Sequence, residues 1–205
     1  MRQLLLATSN PGKVREMRAM LSSLPLEIHD LRDLALDLEV IEDGSTYAEN
    51  AAKKAQTYAA ASGLLTLADD SGLEVDALNG EPGLHSARYG GRPDATDADR
   101  RAFLLARLQG KPRPWTARFR CVLALAFPQQ PCRFFEGVCE GEILPEERGA
   151  GGFGYDPIFL LPALNRTLAE LSLHQKNALS HRGRALQALI PYLTRLIAED
   201  PAKCV

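Results

Sequence analysis

Short apolar runs alternate along the chain with stretches whose apolar residues recur every three or four positions, and this mixture of periods predicts an α/β protein. Residues 4–7 form a first apolar strand. Asn10 then suits a helix N-cap and Pro11 the first helical position, and Val14, Met17, Met20, Leu21 and Leu24 continue as one helical face. Further strands are expected at 26–28 and 38–41. Thr46 with Glu49 forms a capping box opening a helix to Ser62, which Gly63 stops. Along that helix Tyr47, Asn50, Lys54 and Tyr58 share a face, and such a row ordinarily faces solvent. Residues 64–68 are a run of strand formers, and Leu73, Val75 and Ala77 alternate with Glu74 and Asp76. Between them Asp69, Asp70, Ser71 and Gly72 are expected to bend the chain at the edge of a core.

The second half continues in the same manner. Asn79-Gly80 is a turn, residues 81–91 are a long loop, and Thr96 caps a helix through Leu108 that ends at Gly110. Residues 119–127 and 132–135 read as an antiparallel hairpin around Pro128-Gln129-Gln130-Pro131, extended by 137–143. Four glycines at 149, 151, 152 and 154 surround Phe153 ahead of a strand at 158–161. Residues 168–179 are mainly helical, and Ser180 caps a last helix in which Pro191 predicts a kink or a break after Leu189. Residues 199–205 are expected to fray.

Composition narrows the picture. At 205 residues the chain can bury one substantial core, so a single domain is expected. A net charge of -2 excludes a broad basic footprint for nucleic acid. The longest apolar runs fall far short of a bilayer span, so no membrane partner and a cytoplasmic location are expected. Cysteines 121, 132, 139 and 204 have neither Cys-x-x-Cys spacing nor nearby histidines, which favours reduced packing residues over zinc ligands.

Three stretches carry candidate chemistry. Neighbouring side chains on an extended segment point to opposite sides, so one of Asp69 and Asp70 faces a given pocket, where a carboxylate can hold a hard cation or act as a base. The competing reading is a turn in which Asp and Ser bond local backbone. Amides at the helix start by Asn10, with Lys13 on the first turn, suit a phosphate, although the Walker spacing is absent. Phe153 either stacks on a flat ring or plugs the core.

Taken together, Thr8-Ser9-Asn10-Pro11-Gly12-Lys13, Ala68-Asp69-Asp70-Ser71-Gly72-Leu73, Pro82-Gly83 with Ser86-Ala87-Arg88-Tyr89, Gly151-Gly152-Phe153-Gly154-Tyr155-Asp156-Pro157 and Ser180-His181-Arg182-Gly183 resemble the noncanonical purine NTP pyrophosphatases. This is the inosine triphosphate pyrophosphatase family, also described as dITP/XTP pyrophosphatases. The blocks follow the family's order from residue 4 to about 190. The resemblance implies an elongated α/β fold, a mixed central sheet flanked by helices, with two lobes, the active-site cleft between them and no separable domains. It also implies a homodimer.

The implied reaction is Mg²⁺-assisted hydrolysis of ITP, dITP and XTP to the monophosphate and pyrophosphate. On matched positions, Thr8, Ser9, Asn10, Pro11, Gly12 and Lys13 form the phosphate loop, and Glu42 and Asp70 hold the metal. Asp70 is also the proton acceptor. Lys54, Ser71, Phe153, Gly154, Tyr155, Asp156, Lys176, His181 and Arg182 bind the nucleotide. Pro191 and Asp99-Arg100-Arg101, where an Asn is expected, depart from the pattern. Pyrophosphatases for other modified nucleotides and a non-catalytic nucleotide sensor are the alternatives.

Overall fold

A computed structural model of the protein describes residues 2–36, 38–92, 94–128 and 130–199. Gln129 of the expected hairpin turn, Cys204 and residues 200–205 of the expected frayed tail lie outside them. Seven strands form one mixed sheet: β1 (Arg2–Leu6), β2 (Leu26–Asp30), β3 (Leu65–Val75), β4 (Trp115–Ala126), β5 (Arg133–Ile143), β6 (Phe159–Leu161) and β7 (Arg166–Thr167), in the order β2-β1-β3-β4-β5-β6-β7. Five α-helices accompany it: α1 (Pro11–Leu21), α2 (Tyr47–Ser62), α3 (Asp97–Leu108), α4 (Leu173–Leu179) and α5 (His181–Glu199). This is the expected class, a mixed sheet flanked by helices. Among the described residues no helix is long and apolar enough to cross a membrane.

The chain forms two compact units. One comprises residues up to Asp70, Cys121–Gly137 and residues from Arg182 on. The other comprises Ser71–Arg120 and Val138–His181.

In the first unit β1 runs parallel to β2, with Leu4 opposite Ile28, and parallel to β3, with Leu6 opposite Leu67. Its run of leucines is explained by burial on both faces, as expected for a central parallel strand. Leu4 and Leu6 pack with Val14, Met17 and Leu21 of α1 and with Leu186, Leu189 and Leu193 of α5. Leu5 and Ala7 meet Ala51, Ala55, Tyr58 and Ala59 of α2. Alanines there let the helix lie close to the strand.

The second unit packs Leu73 and Val75 with Leu104 and Leu108 of α3 and with Trp115, Phe119, Ile143 and Phe159. Here β6 pairs antiparallel with β5, Ile143 opposite Phe159, and with β7, Leu161 opposite Arg166.

Several local expectations are corrected. Residues 38–41 are not a strand: Leu36 and Val40 lean on the α2 cluster, the Tyr58 hydroxyl donates to the Leu38 carbonyl, and Ile41 is 68% exposed. Contact with a helix, not a ladder, holds this segment. No bend interrupts 69–72, since β3 continues through them to Val75. Pro191 does not break α5, because Leu186, Leu189 and Leu193 on either side of it are fully buried. Their packing outweighs the hydrogen bond the proline removes. Residues 168–179 divide into a 3-10 turn, Leu168–Glu170, and α4, which Ser172 caps afresh in a box with Gln175. Asp156–Ile158 form another 3-10 turn, so β6 begins at Phe159.

Candidate active site

In the first unit the phosphate-loop candidates occupy the β1–α1 turn, and α1 starts as its sequence dictates. Asn10 is the N-cap, its Oδ1 accepting from the amides of Gly12 at 2.8 Å and Lys13 at 3.1 Å, with Pro11 opening the helix. Thr8 Oγ1 in turn accepts from the Asn10 amide at 3.3 Å. The expected free donors of Gly12 and Lys13 are therefore already bonded within the loop, a correction that leaves Lys13 as the turn's cation. Ser9 lies between Thr8 and the cap.

The two acids of β3 have different partners, as alternation along a strand requires. Asp69, fully buried, takes Lys13 Nζ, Arg182 Nε at 2.8 Å and the Cys121 thiol at 3.1 Å. Burial would raise its carboxyl, but the Arg182 and Lys13 cations outweigh that and hold it well below the usual carboxylate range. Arg182 Nη1 also donates to Glu16 at 2.6 Å, and the residue is 1% exposed. The expectation that Arg182 binds the nucleotide thus meets a guanidinium bonded to two carboxylates. Cys121 and Cys139 are buried, Cys132 is half-buried, and none of these three forms a disulfide, in keeping with packing roles.

Asp70 accepts from Asn50 Nδ2 at 3.0 Å, while Lys54 Nζ lies 3.9 Å from Asp70 Oδ1, 3.0 Å from Glu42 and 2.7 Å from the Asp69 carbonyl oxygen. Burial raises the Asp70 carboxyl. Lys54, Lys13 and the Asn50 amide pull the other way, the Glu42 charge adds to the rise, and the group ends above its ordinary value. The α2 face expected to be solvated is instead turned inward, with Asn50 2% and Lys54 9% exposed. Asn50 is a neighbour of Asp70 that the motifs do not mark, and since the alanines around it suit an exposed helix face equally well, no local signal points to it.

Glu42 and Asp70 repel each other directly while both lie near Lys54, and both offer hard oxygen ligands. Among the described residues no group of three or more His, Cys, Asp or Glu side chains is arranged as a metal site. The donor set suits Mg²⁺, which is bound through one or two carboxylates and completes its octahedron with water and substrate phosphate.

In the second unit Ser71 follows Asp70 on β3, half-buried. The glycine-rich segment carries Phe153, half-buried, between Gly152 at φ 72° and Gly154 at φ 61°, left-handed conformations that favour glycine. A Cβ on Gly152 would lie 2.1 Å from Asp156 Oδ2. That carboxylate accepts the Phe153 amide at 2.8 Å and the buried Lys176 ammonium, which sits 4.6 Å from the Phe153 ring centre. Tyr155 is a core residue whose hydroxyl donates to the Ser86 carbonyl at 2.9 Å. His181 stacks on Phe119, ring centres 4.6 Å apart at 13°. By its sequence Phe119 is only a strand residue, and nothing local pairs it with His181.

The Ham1 family model matches residues 4–192. A dITP/XTP pyrophosphatase from Desulforamulus reducens is 49% identical over 95% of this chain and 96% of its own length. The dITP/XTP pyrophosphatase of Thermus thermophilus is 51% identical over 92% and 90%. Among solved structures, a HAM1 protein from Coxiella burnetii superposes with a TM-score of 0.86 at 42% identity, covering 95% of this chain and all of that one. A match of fold and sequence along almost the entire chain has one meaning: this protein belongs to the Ham1 family.

Proposed function

We propose that the protein hydrolyses noncanonical purine nucleoside triphosphates, ITP, dITP and XTP, to the nucleoside monophosphate and pyrophosphate, by attack of water on the α-phosphorus. The observation that carries this reading is Asp70, a buried carboxylate raised by its surroundings and set beside Lys54 and Glu42. A base above its ordinary pKa accepts a proton from water more readily, and adjacent ammonium groups offset the charge of a polyphosphate. The names and coverage of the relatives support the substrate class.

In this reading the turn Thr8, Ser9, Asn10, Pro11, Gly12 and Lys13, together with Lys54 and Ser71, receives the phosphates. Glu42 and Asp70 hold Mg²⁺, which when bound withdraws charge from phosphate oxygens. Phe153 offers a flat face to the base, within a loop whose Gly154, Tyr155 and Asp156 set its path. Lys176 and His181 supply polar recognition of the 6-oxo group that inosine and xanthosine carry and adenosine lacks; a donor left facing donors is rejected strongly. Arg182 acts indirectly by bracing Asp69, the partner of Lys13. Family resemblance supports a homodimer, acting in the cytoplasm as one catalytic domain, and the net charge of -2 favours small-molecule over nucleic-acid partners.

Purified protein with Mg²⁺ is expected to release pyrophosphate from ITP far faster than from ATP. Equal rates on the two would remove base selection from the proposal. Asp70→Asn is expected to lower kcat by at least about a hundredfold, the order of a lost general base. Wild-type turnover in that variant would take Asp70 out of the reaction.

A further inference from the structure

We propose that the first turn of α3 is a clamp for the Phe153 loop, with Asp97 and Arg101 as positioning residues for base binding; this rests on the reading of Phe153 as the platform for the base. Two glycines in left-handed conformations flank Phe153, at φ 72° and 61°, and glycine gives a backbone little resistance to other conformations. The ring's direction must therefore be set from outside.

Bonds to consecutive peptide groups do this. The Phe153 amide donates to Asp156 at 2.8 Å, the Gly154 amide to Asp97 Oδ2 at 2.7 Å, and the Gly154 carbonyl accepts from Arg101 Nη1 at 2.8 Å. Asp97 and Arg101 stand one helical turn apart on one side of α3, so a single rigid element grips both sides of Gly154.

Each gripping side chain is itself held. Arg101 forks onto Glu147 through Nε at 2.8 Å and Nη2 at 3.0 Å, which leaves Nη1 aimed at the Gly154 carbonyl. The other Asp97 oxygen, Oδ1, accepts from Arg100 Nη2 at 2.5 Å. Burial disfavours the Asp97 charge, but the Gly154 amide and Arg100 outweigh it, so the strong, ionised acceptor is the form present at neutral pH. The helix start is fixed by a complete capping box between Thr96 and Asp99. Arg100 and Arg101, which the sequence marks as departures from the family pattern, thus serve the same loop. Arg100 holds the clamp's carboxylate, and Arg101 is its second arm.

The test compares Asp97→Ala, Asp97→Asn and Arg101→Met with the unmodified enzyme in steady-state hydrolysis of ITP. Loss of one loop bond is expected to raise KM about ten- to a hundredfold with kcat within about twofold, the size of a hydrogen bond to a charged group. Asp97→Asn keeps an acceptor for the Gly154 amide and is expected to lie nearer the unmodified enzyme. In a Phe153→Ala background Asp97→Ala and Arg101→Met should add nothing, since the clamp acts through that ring. Exchange of the Gly154 amide, read without nucleotide, should quicken in Asp97→Ala. Unchanged KM in both clamp variants, full additivity with Phe153→Ala, or unaltered Gly154 exchange overturns the clamp. An unchanged KM in Phe153→Ala alone overturns the platform reading instead, and the exchange measurement still judges the clamp.

Discussion

Asp69 and Asp70 are neighbours of one chemical type whose acidities move in opposite directions, and their partners are the reason. Both are desolvated, yet Asp69 faces two cations at bonding distance, whereas Asp70 has an amide, a lysine 3.9 Å away and the Glu42 charge. The first is held as an anion by its cations, and the second, raised by its surroundings, is the one that fits the proposed role of base. Arg182 is the keystone of the structural set, joined to Asp69 and to Glu16, which lies 166 positions away in the chain. Removing one member of a buried ion cluster strands the others. Arg182→Met is accordingly expected to cost about 3–5 kcal/mol in urea unfolding. A loss below about 1 kcal/mol, the size of a surface pair, would show that Asp69 and Glu16 find other partners. Although 69–72 read locally as a bend, the Asn10 cap ahead of Lys13 and the opposed facing of Asp69 and Asp70 are legible in the sequence, because each follows from a local signal. Glu16, Asn50 and Phe119 are not, because their partners arrive only with long-range packing.

Helices α3 and α5 show how tertiary context edits local rules. Pro191 lies on the exposed side of α5, inside a helix that three fully buried leucines hold in place. Its cost is then latent rather than expressed as a break. Pro191→Ala restores a backbone donor and is expected to raise stability by about 1–3 kcal/mol, less whatever the freer unfolded chain regains, as read from thermal melting. No rise would mean the helix is already relaxed around the proline. In α3, Asp99 accepts from the Thr96 amide and hydroxyl and from Arg92, first among them the hydroxyl, and its pKa falls to about 2. A carboxyl depressed on folding contributes stability above its unfolded value near 4, and the contribution is lost as pH falls toward 2. The melting-point gap between the unmodified protein and Asp99→Ala should therefore be full at about pH 6 and shrink steadily below about pH 4. A gap that grows on acidification would contradict the capping role. The caps at Asn10, Thr46 and Thr96 are readable because they depend on four or five consecutive residues. The segment at 38–41 is not, because an apolar run is equally suited to a strand or to a helix-covered loop, and only the position of α2 decides.

For the molecule as a whole, the change between strand and helix period carries the fold class, since each β1-type run needs helices to cover both its faces. Strand order is not legible, because it depends on which edges meet. Function draws on that assembled whole, and ligand linkage tests it at that scale. A nucleotide that binds only the folded chain stabilises it by about 2.7 kcal/mol at a hundredfold excess over Kd. For a domain of this size that corresponds to a rise of roughly 5–10 °C in Tm. The α,β-imido analogue of ITP, which resists cleavage at the proposed bond, is expected to give this rise with Mg²⁺ present. If Glu42 and Asp70 hold Mg²⁺ as proposed, EDTA should remove most of it, since the two carboxylates would then face the phosphates with no cation between them. The matching ATP analogue should give little, its 6-amino group meeting the donors of Lys176 and His181. An equal rise with both analogues would assign the binding to the phosphates alone. A rise indifferent to EDTA would leave Lys13 and Lys54 as the whole of the charge compensation and would separate Glu42 from the site.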